Sequence, residues 1–258
     1  MRVWHQRSGN RVRILRRRRS WFRVLLAPVA ALAVITLGIL GVRQVQRFLF
    51  TAQMFTVRQV LVSGNRQVPG AEIVRMMNLS AGINLFSVDL HKAGERIRRI
   101  RWIREVALHR QLPDTLRVNV QERSPFALVE AQSRFLVDRE GIVLEEGVLR
   151  ELYRLPVLAG VGGLRKTPEG KLEGERLLLG MSILGEIHRA KLVEEPFVVT
   201  LAPRGRVLLK VEGKPEIRLQ PPAIMEQLNR LQSLPGIWRE EPGREYIDLT
   251  FANMVVIK

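Results

Sequence analysis

The sequence predicts an α+β protein carried behind a single membrane-crossing helix. Three observations predict it: an uncharged run over residues 24–42, a strand–helix–helix–strand–strand order over 57–122, and short alternating apolar runs with two helices further on. The expected segments are a basic tail at 1–23, a transmembrane helix at 24–42 and a juxtamembrane linker at 43–56. A first domain at 57–125 and a mixed β domain with two helices at 126–258 complete the chain.

The net charge of +17 is mostly a tail. Residues 1–47 hold eleven arginines and no acid, and removing them leaves 31 basic against 25 acidic side chains. The run VLLAPVAALAVITLGILGV spans about 28 Å as a helix, close to the roughly 30 Å hydrocarbon layer. Pro28 is expected near its first turn, and Trp21 and Phe22 at the headgroup boundary. Nine arginines precede the run and only Arg43 and Arg47 follow closely, which puts the N-terminus in the cytoplasm and the bulk outside. A cleaved signal peptide fits less well, because the apolar run is too long and no small-x-small site follows it. The arginines serve as a topology signal that also touches anionic lipid, in preference to a nucleic-acid arm.

In the first domain, VRQVLVS (57–63) alternates like a half-buried strand and Gly64-Asn65 ends it. A helix is expected from Pro69 to Met77, with Ile73, Met76 and Met77 inward. A second is expected from Asp89 to Ile100 on a stripe of Leu90, Ala93, Ile97 and Ile100, with Arg96, Arg98, Arg99, Arg101 and Arg104 on a solvated face. Strands follow at 105–110 and 116–122. The two helices are expected on one face of the small sheet.

In the second domain, Phe135–Asp138 and Ile142–Leu144 read as a hairpin around Glu140-Gly141, and the glycine-rich stretch 160–174 as a loop. Helices are expected at 175–191 and 221–234, and strands at 197–201, 206–212, 216–219 and 246–251. The last run, Met254 to Lys258, is apolar on both faces. By residues alone it is equally a central strand of its own sheet or an edge that accepts a partner's strand.

The sequence lacks the arrangements that carry chemistry. His5, His91, His109 and His188 form no ligand pair, GVGG (160–163) lacks phosphate-loop spacing, and there is no cysteine. Glu145-Glu146, Glu194-Glu195 and Glu240-Glu241 adjoin turns, where solvation accounts for them. A binding protein is expected, with no catalytic, cofactor or metal residues.

Several motifs together resemble the FtsQ/DivIB cell-division family. They are VSGN (62–65), INLF (83–86), Trp102-Ile103, LPDTL (112–116), ERSPFA (122–127), VDREG (137–141), LPVL (155–158) and YIDLTF (246–251). The resemblance implies a polypeptide-transport-associated (POTRA) domain over 57–125 and an FtsQ-type β domain over 126–258. It implies a non-enzymatic divisome scaffold in the cell inner membrane at the division septum, single-pass, with a periplasmic bulk. FtsB, with FtsL, is the implied partner, received by the terminal strand through Tyr246, Phe251, Met254, Val255, Val256 and Ile257. The POTRA domain is left for other division proteins. No nucleic acid, cofactor or small-molecule substrate is implied. Arg101, Thr250 and Met254 stand where the family more commonly has proline, arginine and glycine. The alternative is an accessory protein of outer-membrane assembly or secretion, where POTRA domains also serve. Such chains carry a downstream barrel, for which there is no room after residue 123.

Overall fold

The computed structural model of the chain describes residues 18–190, 196–233, 245–251 and 254–258. The tail to residue 17, Ala252-Asn253 and the Glu194-Glu195 and Glu240-Glu241 pairs lie outside these residues, as do the side chains of Trp21 and Phe22. The architecture is α+β, with an apolar N-terminal helix, a POTRA-type element order and a β domain carrying helices. The chain divides into two compact units. One comprises Met1–Leu61, Leu79–Leu90 and His109–Arg117; the other comprises Val62–Asn78, His91–Leu108 and Val118–Lys258.

In the first unit, α1 (Arg18–Thr51) is a 34-residue helix, and Pro28 lies inside it instead of in its first turn. Proline costs one backbone bond there, but an apolar run with no water to satisfy its amides has every other reason to stay helical. Residues Pro28–Thr51 are long and apolar enough to cross a membrane, and none of the most apolar stretch is buried by protein. The Thr36 hydroxyl donates to the Leu32 carbonyl at 2.7 Å, so its polar group is satisfied within the helix.

Residues 43–51 continue the same helix, and a single 3₁₀ turn, Gln53–Phe55, follows. The INLF loop holds this junction. Asn84 Nδ2 donates to the Leu49 carbonyl at 3.0 Å, and Asn84 Oδ1 accepts from the Phe86 amide at 2.9 Å. The Phe86 ring meets Phe55 edge-on at 5.1 Å and Phe50 at 6.2 Å. Arg110 closes the loop from the opposite side, donating to the carbonyls of Leu85 at 2.9 Å and Val88 at 2.7 Å.

Three strands, β1 (Gln59–Ser63), β2 (Ile103–Gln111) and β3 (Thr115–Glu122), form a sheet in the order β1-β3-β2. Between β1 and β2 come α2 (Gly70–Met77) and α3 (Leu90–Ile97), which bury Ile73, Met77, Ala93 and Ile97. Asn78 ends α2 in the left-handed conformation with φ 52°, a role asparagine fills when glycine is absent.

The second helix stops at Ile97 instead of Ile100. The amides of Arg99, Ile100 and Ile103 bond three residues back, which tightens the chain and turns it into β2. Nor is the arginine face wholly solvated. Arg96 donates to the Met77 carbonyl at 2.9 Å and so closes the end of α2.

Two contacts between residues far apart in sequence bind the Gly64–Val68 turn to β3. Gly64 has φ +86°, and a Cβ there would strike the Val120 carbonyl oxygen, so this position takes only glycine. Glu122 accepts the amides of Arg66 at 2.9 Å, Gln67 at 2.9 Å and Val68 at 2.9 Å. Partial burial works to raise this carboxyl, but the three backbone donors and the nearby Arg66 charge outweigh it, and its pKa lies below the ordinary value of 4.5. A depressed carboxylate contributes stability above its unfolded pKa and loses it as pH falls through the folded value. Glu122→Gln should therefore flatten the decline of unfolding free energy on acidification below about pH 4.5, measured by urea titrations at successive pH values. An unchanged pH profile would remove Glu122 from this role.

The β domain is one nine-stranded mixed sheet. Its strands are β4 (Ala127–Glu130), β5 (Arg134–Val137), β6 (Val143–Glu146), β7 (Val157–Ala159), β10 (Phe197–Leu201), β11 (Val207–Val211), β12 (Glu216–Leu219), β13 (Tyr246–Asp248) and β14 (Val256–Ile257). The order is β14-β13-β12-β11-β10-β7-β4-β5-β6. The expected glycine-rich loop contains a two-stranded ribbon, β8 (Arg165–Lys166) with β9 (Leu172–Glu173).

Pairing is parallel at β4–β7, β7–β10 and β12–β13, and antiparallel elsewhere. Parallel neighbours need a crossover, and α4 (Glu175–Ala190) and α5 (Ile224–Gln232) supply two of them. Both helices pack on one face of the sheet: Leu177, Leu184, Ile187, Leu228 and Leu231 share a buried core with Val199, Leu209, Ile217 and Ile247. A smaller cluster of Leu128, Leu136, Leu144, Val148 and Val157 has Trp102 packed against it.

Candidate partner-binding edge

The strand expected over 246–251 ends at Asp248, and its termination shapes the site. Asp248 Oδ1 accepts from the Thr250 amide at 3.0 Å and the Thr250 hydroxyl at 2.6 Å, an Asx turn that diverts the chain from β12. The buried Leu249 still donates its amide to the Arg218 carbonyl at 3.0 Å. From α5, Arg230 donates to the carbonyls of Leu249 at 2.9 Å and Phe251 at 2.7 Å. Gln227, almost fully buried, exchanges two bonds of 2.9 Å with the main chain of Gln220, which ties α5 to the end of β12.

The chain then returns as β14, antiparallel to β13, with Ile257 opposite Ile247 and Val256 opposite Asp248. Among the described residues β14 is the last strand at its end of the sheet. The Lys258 amide bonds to the Tyr246 carbonyl at 3.1 Å, and the Tyr246 amide bonds back to Lys258 at 3.3 Å. In an antiparallel ladder hydrogen-bonded pairs alternate, so the neighbouring Ile257 amide and carbonyl point away from β13, toward the open edge.

The six expected contact residues occupy different positions. Phe251 and Met254 are about half exposed, at 50% and 55%, and Ile257 is exposed on the edge strand. Val256 is half-buried on the face opposite the helices. Val255 packs against the helix-side core, which makes it part of the domain's own interior. Tyr246 lies one strand in, with the Arg218 guanidinium 3.6 Å from its ring centre, and Arg218 is paired with Glu216 at 3.2 Å. Arg218, Arg230 and Gln227 shape this edge without any sequence signal, since nothing local distinguishes them from other polar residues on a strand or helix.

A second concavity, about 580 Å³, is lined by Arg104, Arg123, Phe126, Asp138, Glu140 and His188 among others. Its charges are largely engaged with one another. Arg123 Nη1 lies 2.6 Å from Asp138 and 3.0 Å from Glu140, and Arg104 lies 2.7 Å from Glu140. The pairing with Arg123, with the Arg104 charge close by, holds Glu140 below the usual carboxylate range. Among the described residues no group of His, Asp and Glu is placed to hold a metal ion.

Residues 55–123 match the POTRA domain, FtsQ-type, and residues 127–250 match the C-terminal domain of cell division protein FtsQ/DivIB. The chain is 25% identical to cell division protein FtsQ of Syntrophotalea carbinolica over 265 residues, 98% of this chain and 92% of the relative. It is 24% identical to the FtsQ of Geobacter sp. (strain M21) over 223 residues, 80% of this chain and 76% of the relative. Against that of Koribacter versatilis it is 31% identical over 102 residues, 39% and 29% of the two chains. With both of its extended domains matched and full-length relatives that carry the same name, the chain belongs to the FtsQ/DivIB family of bacterial cell-division proteins.

Proposed function

We propose that the chain is a non-enzymatic divisome scaffold, held in the inner membrane by α1 with its N-terminus in the cytoplasm and its bulk in the periplasm. It works at the septum by capturing FtsB, associated with FtsL, along β14, and so positions the cell-wall synthesis machinery. The POTRA domain offers a separate surface to other division proteins. The observation that carries this reading is the open β14 edge, where the Ile257 amide and carbonyl are directed outward beside exposed Phe251 and Met254. An added strand gains main-chain hydrogen bonds from such an edge and specificity from its alternate side chains.

The test is titration of the chain, in nanodiscs, with the extracytoplasmic part of the FtsB–FtsL pair. Val256→Lys is the informative variant. Asp248 stands directly opposite, so lysine gains a cross-strand partner and the domain should stay folded. Partner affinity should fall about tenfold, the loss of one well-placed apolar contact of roughly 1.4 kcal/mol. Wild-type affinity in a folded Val256→Lys variant would remove β14 as the capture site.

A further inference from the structure

The exit of α1 and the turn between β2 and β3 share one end of the first unit. The Val57 amide bonds to the Ile83 carbonyl and the Arg58 amide to the Asp114 carbonyl, both at 2.9 Å, so the INLF loop and the 111–114 turn flank the chain just before β1. β1 and β3 run parallel from there, since Ser63 Oγ donates to Asn119 Oδ1 at 2.6 Å at the far end of the pair. One 3₁₀ turn separates α1 from this point, and the INLF loop is bonded to Leu49 and packed on Phe50. The 111–114 turn therefore stands at the end of the sheet from which α1 departs.

Apolar side chains are exposed at that end. Leu112 is 61% exposed, Met54 53% and Phe50 50%. Basic residues surround them. Arg43 and Arg47 lie on the last turns of α1, and Arg58 keeps a 71% exposed side chain although its Nε lies 4.0 Å from Asp114. Arg117 follows the turn and donates to Gln111 at 3.0 Å; Asp89 and Asp114 are the acids of this unit's extended part. The apolar span Pro28–Thr51 has 24 residues and rises about 36 Å, the roughly 30 Å hydrocarbon core plus one headgroup layer of roughly 5–8 Å, so the last turn of α1 ends among the headgroups. An apolar tip ringed by arginines at that height matches the chemistry of the lipid interface, where apolar groups enter the acyl boundary and cations meet phosphates.

We propose that the 111–114 turn is a second membrane contact. Leu112 enters the boundary between headgroups and acyl chains of the leaflet that α1 leaves, with Arg58 and Arg117 at the lipid phosphates. The POTRA domain is thereby held in one orientation on the bilayer instead of swinging on α1. This rests on the reading of α1 as a membrane-crossing anchor.

The chain has no cysteine, so single-cysteine variants of the full chain can each carry one environment-sensitive NBD probe. They would be reconstituted in phosphatidylethanolamine–phosphatidylglycerol vesicles with spin labels at shallow or deep acyl positions. The probe at Leu112→Cys should be blue-shifted and quenched by the shallow label, as at Phe50→Cys. The probe at Leu61→Cys, on β1 and about 10 Å further along the strand from Arg58, should be neither. With the probe moved to Gln111→Cys, adding Leu112→Asp should abolish the shallow quenching. A Leu112 probe no more quenched than the Leu61 probe, or quenching at Gln111 that survives Leu112→Asp, overturns the contact while leaving the anchor intact. Val34→Cys reports the anchor itself, and its failure to be quenched by the deep label overturns both.

Discussion

Under the proposed capture of the FtsB–FtsL pair along β14, replacing Ile257 with proline is expected to weaken binding about tenfold or more, with little change in the stability of the chain. The asymmetry comes from the ladder. Tyr246 and Lys258 exchange hydrogen bonds across β13 and β14, so the Ile257 amide takes no part in the sheet's own pairing. Proline removes that amide without breaking a native bond, and its φ near −65° is tolerated on an edge strand. An incoming strand loses a main-chain bond of about 1 kcal/mol and meets the pyrrolidine ring besides, which together approach the roughly 1.4 kcal/mol of a tenfold change. Calorimetric titration against the partner pair, alongside urea unfolding, measures both halves. Undiminished affinity would mean that capture does not use the outward main chain of β14. A large loss of stability would mean that the amide is engaged within the domain.

Asp138→Ala should be the most destabilising single change outside the hydrophobic core, at about 3 kcal/mol. Asp138 and Arg123 are 8% and 16% exposed in their side chains, and their atoms approach to 2.6 Å. Asp138 also accepts the amides of Glu140 and Ile142, each at 2.9 Å, which fixes the turn of the β5–β6 hairpin. Alanine strands a largely buried guanidinium and two turn amides together. Glu140 remains 3.0 Å from Arg123 and keeps the cost at the lower end of the range for a broken buried pair. Asp138→Asn retains an oxygen for the turn amides but loses the charge, and should cost about half as much. Urea unfolding at neutral pH separates the three proteins, and a cost below about 1 kcal/mol for alanine would make the pair peripheral to stability.

Much of the fold was legible in the chain because its signals are local. An uncharged run needs no partner to declare itself a membrane-length helix, and the Ile73–Met77 and Leu90–Ile97 stripes follow from helical period alone. The β10, β11 and β12 stretches alternate clearly enough to be found within a residue or so. Boundaries were less legible where a hydrogen bond competes with continuation. The second POTRA helix stops at Ile97 because three amides bond backward by three residues, and β13 stops at Asp248 because its side chain captures Thr250. The linker expected at 43–56 opens on the arginine-bearing RQVQR, yet residues up to Thr51 are helical, and the loop that grips this end lies 35 residues further on, at Asn84.

The candidate edge was legible as an apolar terminal run, but its orientation was not. Alternation alone cannot say whether Val255 or Val256 faces the interior, because a shift of one residue exchanges the two faces. Packing decides it: Val255 joins the core beneath the helices, and Val256 is left opposite Asp248 on the other face.

Local signals in the chain were enough for the membrane-length helix, the strand–helix–helix–strand–strand order of the first domain and the class of fold, since these depend on hydrophobic period and turn chemistry within a few residues. The nine-strand order, the Glu122 clamp on residues 66–68, the Arg123–Asp138 pair and the outward direction of the Ile257 main chain arise only once the chain is folded. Each of these is a choice of partner between groups far apart along the chain. Such choices are settled by which pairings bury apolar surface while leaving no polar group unsatisfied.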